Sequence, residues 1–180
     1  VAMSALMSSL TSFVTFSSPE PDKLRAVLFW LLGSLSGTRW EILPIPALTA
    51  GFGLLLMMGL TRPLDALLVG EEPAHSLGMP VELLKRLLIV LAALVTGTLV
   101  ATSGAIGFVG LIVPHAVRLT VGVTHRRLVP LSFVVGALFL LWADIAARSL
   151  LPGQELPVGI LTALCGVPFF LALLRRNAYR

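Results

Sequence analysis

The run LLIVLAALVTGTLVATSGAIGFVGLIVP, residues 87–114, carries no charged side chain and decides the architecture. A helix crossing a bilayer needs about 20 mostly apolar residues, so this run is too long for one simple crossing. Gly97, Gly104, Gly107 and Gly110 punctuate it, and Pro114 stands at its end. The pattern predicts a full helix through about Ala101, a break at Thr102-Ser103-Gly104, and a shorter helix carrying Phe108 to Leu119. Lipid cannot satisfy free backbone groups, so a break at membrane depth survives only where protein or a water-lined path surrounds it. The expectation is a chain that forms part of a pathway and is more than an anchor.

Four further uncharged windows, 1–19, 42–61, 128–143 and 156–174, bring the expected crossings to four or five. Composition agrees: 57% of the 180 residues are apolar and 12% charged, against about 45–50% and about 25% in soluble domains. Residues 23–35 are apolar enough for a helix but too short to span, and Gly33, Ser34, Ser36 and Gly37 end them, so this segment should lie at the interface or re-enter. Trp30 and Trp40 fit an interfacial aromatic belt there, and ordinary packing explains them equally well. The apolar, Ser-rich start at Val1 lacks the basic flank of a signal peptide, and the expectation is a chain that begins inside a helix. Cys165 is single and reads as a small packing residue in mid-helix. The three His are scattered and the basic residues form no run with interleaved aromatics, so neither a metal site nor a nucleic-acid partner is expected.

The net charge of +4 is not evenly spread. If the first helix runs outward, Arg62, Lys85, Arg86, Arg118, Arg126, Arg127, Arg175, Arg176 and Arg180 fall on the cytoplasmic side. Lys23, Arg25, Arg39 and Arg148 fall outside, where Glu20 and Asp22 accompany the first two. The bias of Lys and Arg toward the cytoplasm then predicts a cytoplasmic C-terminus.

Under this orientation the longest polar connection, residues 61–86, is a cytoplasmic loop, and its residues predict structure. Thr61 can cap a helix, Pro63 suits its first turn and Gly70 its left-handed stop. The pattern then repeats: Glu71 and Glu72 complement a helix dipole, Pro73 opens the turn, and Leu77-Gly78 close it. Two short helices at an angle form a knob whose apolar points, Leu64, Leu67, Leu68 and Leu77, either enter a groove on a partner or fold back on their own bundle.

These residues resemble a known family. Gly70–Gly78, GEEPAHSLG, resembles the G-E-x-x-A-x-x-L-G coupling segment of the FecCD-type permease subunits of ABC importers for iron-siderophores, haem and vitamin B12. In order along the chain, Phe29–Gly37 resembles the family's W-x-x-G-S-x-S-G stretch, and Gly104–Arg118, GAIGFVGLIVPHAVR, looks like its most recognisable signature. Ala143–Arg148 and Glu155–Ala163 are similar to two further motifs, while Pro73 replaces a residue that is usually a small helix-former. The resemblance implies an all-α, polytopic transmembrane bundle of the type II ABC importer kind, with broken helices and short cytoplasmic coupling helices. It covers the C-terminal portion of such a permease, so the family's first helices, part of the cytoplasmic gate and an early outer docking loop are expected to be missing from these 180 residues. It implies a bacterial or archaeal cytoplasmic membrane, a second permease copy, an extracytoplasmic binding protein that delivers a metal chelate, and separate ATPase subunits. Those subunits would bind the ATP, because no G-x-x-x-x-G-K-[ST] loop occurs here and no cofactor is expected in this chain. Leu64, Leu67, Leu68, Gly70, Glu71, Glu72, Ala74, Leu77 and Gly78 are then the ATPase-coupling residues.

Individual side chains carry two readings each. Asp144 and Arg148 are spaced to meet on one helix face; they form a local ion pair, or Arg148 docks an acidic residue of the binding protein, as the resemblance implies. His115 and Arg118 share a face near cytoplasmic headgroups, and a lone His is structural more often than a ligand. Ser4, Ser8 and Thr11, with Ser12 beside them, form a polar stripe that lines a wet path or lets helices approach closely. Gly104, Gly107, Gly110 and Pro114 should permit the break and close helix packing. Two other classes are weighed. An intramembrane serine protease would have only Ser103 and His115 to work with, and lacks the G-x-S-x setting. A secondary transporter also uses broken helices, but no carboxylate or Lys lies inside the uncharged windows to carry a proton.

Overall fold

A computed structural model describes residues 2–17, 21–150 and 155–178. Val1, Glu20 and Arg180, and the side chains of Asp22, Lys23, Arg25 and Arg176, lie outside the described residues. Nine α-helices and no strand occur among the described residues: α1 Ala2–Phe16, α2 Pro21–Leu32, α3 Pro44–Gly59, α4 Thr61–Leu67, α5 Glu71–Ser76, α6 Val81–Ser103, α7 Val109–Val121, α8 His125–Ser149 and α9 Val158–Ala178.

Two of these, α6 and α8, are long and apolar enough to cross a membrane, and α3 with α4 passes the same test as a pair bent by 61°. Among the described residues these make two spans, or three with the bent pair, and α9, at 21 residues, is about 31 Å long, enough to cross as well. Pro44 delays the start of α3 inside its window. At 1.5 Å per residue α7 is only about 20 Å long, short of the ~30 Å hydrocarbon layer.

The break falls where the glycines place it, with α6 running two residues further than expected. Gly104, at φ +70°, closes α6, and Phe108, at φ 67°, opens α7. The linker between them is held by hydrogen bonds to two other helix ends. Ala105 N donates to the Trp30 carbonyl at the end of α2, Ser34 N donates to the Ser103 carbonyl, and Gly159 N at the start of α9 donates to the Gly33 carbonyl. Three interrupted helices thus satisfy one another's backbones. Only glycine allows the approach: a Cβ on Gly104 would stand 2.2 Å from the Trp30 carbonyl oxygen, and one on Gly159 only 1.7 Å from that of Leu32. Two turns further along α9, Gly166 accepts the Phe108 side chain, which a Cβ there would meet at 2.4 Å.

The expected close packing at Gly107 and Gly110 is not found among the described residues, since a Cβ at either meets nothing within 4 Å there. The contacts belong instead to Gly33, Gly104, Gly159 and Gly166. Pro114 lies inside α7, which continues to Val121. Beyond the linker, Val113 and Val117 of α7 pack with Leu128 of α8 in a small apolar cluster flanked by Val109, Val121 and Phe139.

Gly104→Ala and Gly159→Ala should therefore each destabilise the bundle by about 1–3 kcal/mol or more, whereas Gly107→Ala and Gly110→Ala should leave it near the parent. Thermal unfolding of the four variants in one detergent checks this, and equal midpoints would sink the interlocked-break account.

Candidate functional site

The connection between the spans folds as two short helices, at the positions the Pro and Gly pattern predicts. Its details differ. Leu60, not Thr61, occupies the cap position of α4, and the Thr61 hydroxyl donates to the Met58 carbonyl at 3.0 Å. Threonine inside a first turn bonds back to the preceding helix end when that end is one residue away. Gly70, at φ +122°, caps the N-terminus of α5 and does not close α4, which ends on Leu68. Gly78, at φ +81°, does close α5: Gly78 N donates to His75 O and Met79 N to Ala74 O, the paired bonds of a Schellman stop.

The apolar points of this knob divide between two directions. Leu68, Val69 and Leu77 project outward, with Leu77 83% exposed. Leu64 and Leu67 are half-buried, and Ala74 is 1% exposed. Of the residues expected to meet a partner, Leu64 and Ala74 therefore face their own bundle, because short helices this apolar bury one side against the spans they join.

Charged ties hold the knob. Asp65 Oδ1 accepts the backbone N–H of His125 at 2.8 Å and lies 2.7 Å from His125 Nδ1. Glu71, in the first turn of α5, pairs with Lys85 of α6, which also stands 3.7 Å from Glu82. Sequence reasoning missed both, since nothing local marks a contact between residues 60 positions apart. The Asp65 carboxyl is held below its ordinary 3.8, first by the His125 backbone N–H and then by its side chain.

Leu64 points into an apolar furrow of about 660 Å³ between α3, α4, α6, α7 and α8, lined among others by Gly53, Val95, Pro114, Leu128 and Ser132. Ser132 Oγ is buried there without a hydrogen-bond partner among the described residues. At the far end of α8, Arg148 grips Asp144 through Nε at 2.8 Å and Nη2 at 3.3 Å, with the Arg side chain 48% exposed. The local pair is present and the guanidinium still reaches solvent.

The remaining candidates separate. Ser4, Ser8 and Thr11 are exposed on α1, with the Thr11 hydroxyl turned back on the Met7 carbonyl. The His115 ring packs edge-on against Phe169, and Arg118 is exposed. Ser103 Oγ donates to the Leu99 carbonyl, and no hydrogen bond joins it to His115 among the described residues. Cys165 is exposed on α9, contrary to the packing role expected, because Gly166 and Thr162 take the buried face. No group of three or more His, Cys, Asp or Glu suited to a metal occurs among the described residues.

The class defined by these features is an all-helical bundle with helices long and apolar enough to cross a membrane, an interlocked break and a two-helix knob between spans. The chain belongs to the FecCD transport family, which residues 1–176 match. It is 46% identical over 180 residues to the cobalamin import system permease protein BtuC of Halobacterium salinarum, covering 100% of this chain and 48% of that protein. It is 42% identical to the Fe(3+) dicitrate transport system permease protein FecD of Escherichia coli, covering 98% of this chain and 55% of that one. With the hemin transport system permease protein HmuU of Yersinia pestis the identity is 39%, over 98% and 53%. A metal-chelate type ABC transporter solved in an inward-facing conformation superposes with a TM-score of 0.85 at 37% identity, over 97% of this chain and 56% of that one. The chain spans about half the length of the curated relatives it matches.

The carboxylate tie sets a pH dependence. Because the folded value of Asp65 lies below the unfolded one, its contribution is complete above the ordinary carboxylate value and is lost as pH falls through the lower folded value. Asp65→Asn should lower the melting temperature at neutral pH, and the difference from the parent should close as pH drops below about 3.8. A difference that stays constant across the pH series would contradict this.

Proposed function

We propose that this chain acts as the C-terminal portion of a transmembrane permease subunit in an ATP-driven importer of a metal chelate of the iron-siderophore, haem or cobalamin kind. The observation that carries the proposal is the knob: α4 and α5 present Leu68, Val69 and Leu77 outward from a rigid mount between two spans, in a chain that belongs to the FecCD family over residues 1–176. Separate ATPase subunits bind and hydrolyse ATP and dock on this face. A second permease copy completes the path, with Ser4, Ser8 and Thr11 lining it, and an extracytoplasmic binding protein delivers the chelate. The distribution of Lys and Arg supports a cytoplasmic knob and C-terminus in a bacterial or archaeal cytoplasmic membrane.

The open furrow supports the portion reading. Only 11% of the α6 window and 6% of the α8 window is buried, and apolar helices from the half that longer relatives possess would cover these faces. A secondary transporter needs no ATPase, so partner capture separates the two readings. A photo-crosslinker at Leu77, the most exposed apolar point of the knob, should join a co-expressed ATPase subunit in the assembled complex, and one at Ala74 should not. Assembly without any adduct from Leu68, Val69 or Leu77 would overturn the docking assignment.

Arg148 is proposed to dock an acid on the binding protein while held by Asp144. If it serves only Asp144, neutralising both residues should restore what Arg148→Ala loses, since the unpaired acid is gone. If it docks, the double variant should recover folding but associate more slowly, with a weaker dependence on salt. Association rates across a salt series decide, and a single variant matching the parent at low ionic strength assigns Arg148 to structure alone.

A further inference from the structure

The first turn of α8 lacks a cap of its own. Thr124 occupies the cap position but makes no side-chain cap hydrogen bond. The carboxylate that meets this helix start comes from α4 instead: Asp65 Oδ1 takes the His125 backbone N–H at 2.8 Å and faces His125 Nδ1 at 2.7 Å. A carboxylate at the N-terminus of a helix interacts favourably with the free N–H groups and with the helix dipole. Charge-assisted bonds of this kind are stronger than neutral ones. The His125 side chain is 16% exposed and that of Asp65 34%, so the contact is partly shielded from water.

This tie leads inward. One turn along α8 from His125, Leu128 packs with Val113 and Val117 of α7. α7 in turn begins at Phe108, immediately after the linker that joins it to α6. The second tie, Glu71 to Lys85, fastens α5 to the cytoplasmic end of α6 on the other side of the knob. Among the described residues the knob thus has two polar ties, to two different spans, and the Asp65 tie is the one that lies a turn from the α7–α8 cluster, where Leu64 of the same helix also faces Leu128 across the furrow.

We propose that Asp65 and His125 are positioning residues for energy coupling: they transmit displacement of the two-helix knob to the start of α8 and, through Leu128, to α7. The proposal rests on the ATPase-docking reading of the knob. Without the tie, the knob would still meet an ATPase but would move relative to α8.

The test uses the assembled permease–ATPase complex containing this chain, in lipid nanodiscs and in a Cys165→Ser background. Leu119→Cys, on the exposed side of α7, reports by its maleimide labelling rate with and without trapping by ATP and vanadate. Phosphate release reports hydrolysis. In the parent, trapping should change the labelling rate. In Asp65→Ala complexes that still trap nucleotide the trapping-dependent change should shrink by about tenfold, the weakening that loss of one charged hydrogen bond implies. Asp65→Glu, which keeps a carboxylate for the His125 N–H, should retain the change. An undiminished change in Asp65→Ala overturns the proposal, as does loss of the change in Asp65→Glu in a complex that still traps nucleotide. If Asp65→Ala fails to assemble, Asp65→Asn is used, which keeps an oxygen for the His125 N–H; an unaltered change there equally overturns the role of the charged tie. Loss of the Leu77 adduct to the ATPase in the parent would instead sink the docking reading. A Leu77 adduct without any trapping-dependent change leaves docking standing and removes the transmission proposal alone.

Discussion

The Trp30 carbonyl and the Gly33 carbonyl, at the end of one interrupted helix, accept hydrogen bonds from Ala105 and Gly159, which belong to two others. In hydrocarbon an unpaired peptide group has no water to turn to, so three helix ends left free by the chain must meet and pair. Every one of them must also come close enough to do so, and that is why glycine stands at 33, 104 and 159. The rest of the bundle depends on this node, because it fixes where α6 stops, where α7 starts and how α9 enters. The motifs Trp30–Gly37, Gly104–Arg118 and Glu155–Ala163, far apart in the chain, converge on it.

Outside the node the chain is thinly packed. Among the described residues its buried apolar cluster has three members with a few neighbours, while large apolar side chains such as Leu48, Leu55 and Leu83 stand open on the spans. In water this would be untenable. In a bilayer, lipid and neighbouring helices meet such faces without penalty, and association between helices relies on close fit and hydrogen bonds more than on escape from water. The contact between Gly53 and Val95, where a Cβ on the glycine would approach Val95 Cγ2 to 2.8 Å, is of that kind.

Much of this was legible in the sequence wherever one residue type determines a local conformation. Gly104 marked the break, Pro63 and Gly78 marked two short helices, though Gly70 caps the second and does not stop the first, and the Asp144 and Arg148 spacing marked an ion pair. Legibility ended where the partner lies elsewhere in the chain. Nothing near Gly159 or Gly166 indicates that a carbonyl from α2 or a ring from the linker will rest on them. Asp65 looks like any surface acid until α8 arrives beside it. The outward or inward aim of Leu64 and Ala74 depended on the position of the spans.

Phe108 carries a consequence of its own. It holds a left-handed backbone, φ 67°, that a residue with a side chain adopts at a cost of roughly 1–2 kcal/mol. Its ring, seated on Gly166, keeps it there. The joint between α6 and α7 is therefore preloaded, like a spring latched by a pawl. A movement that lifts the ring from α9 has to give up that contact before the backbone at Phe108 can relax. Glycine at position 108 would remove the preload and the pawl together, leaving the linker held by its hydrogen bonds to the other helix ends alone.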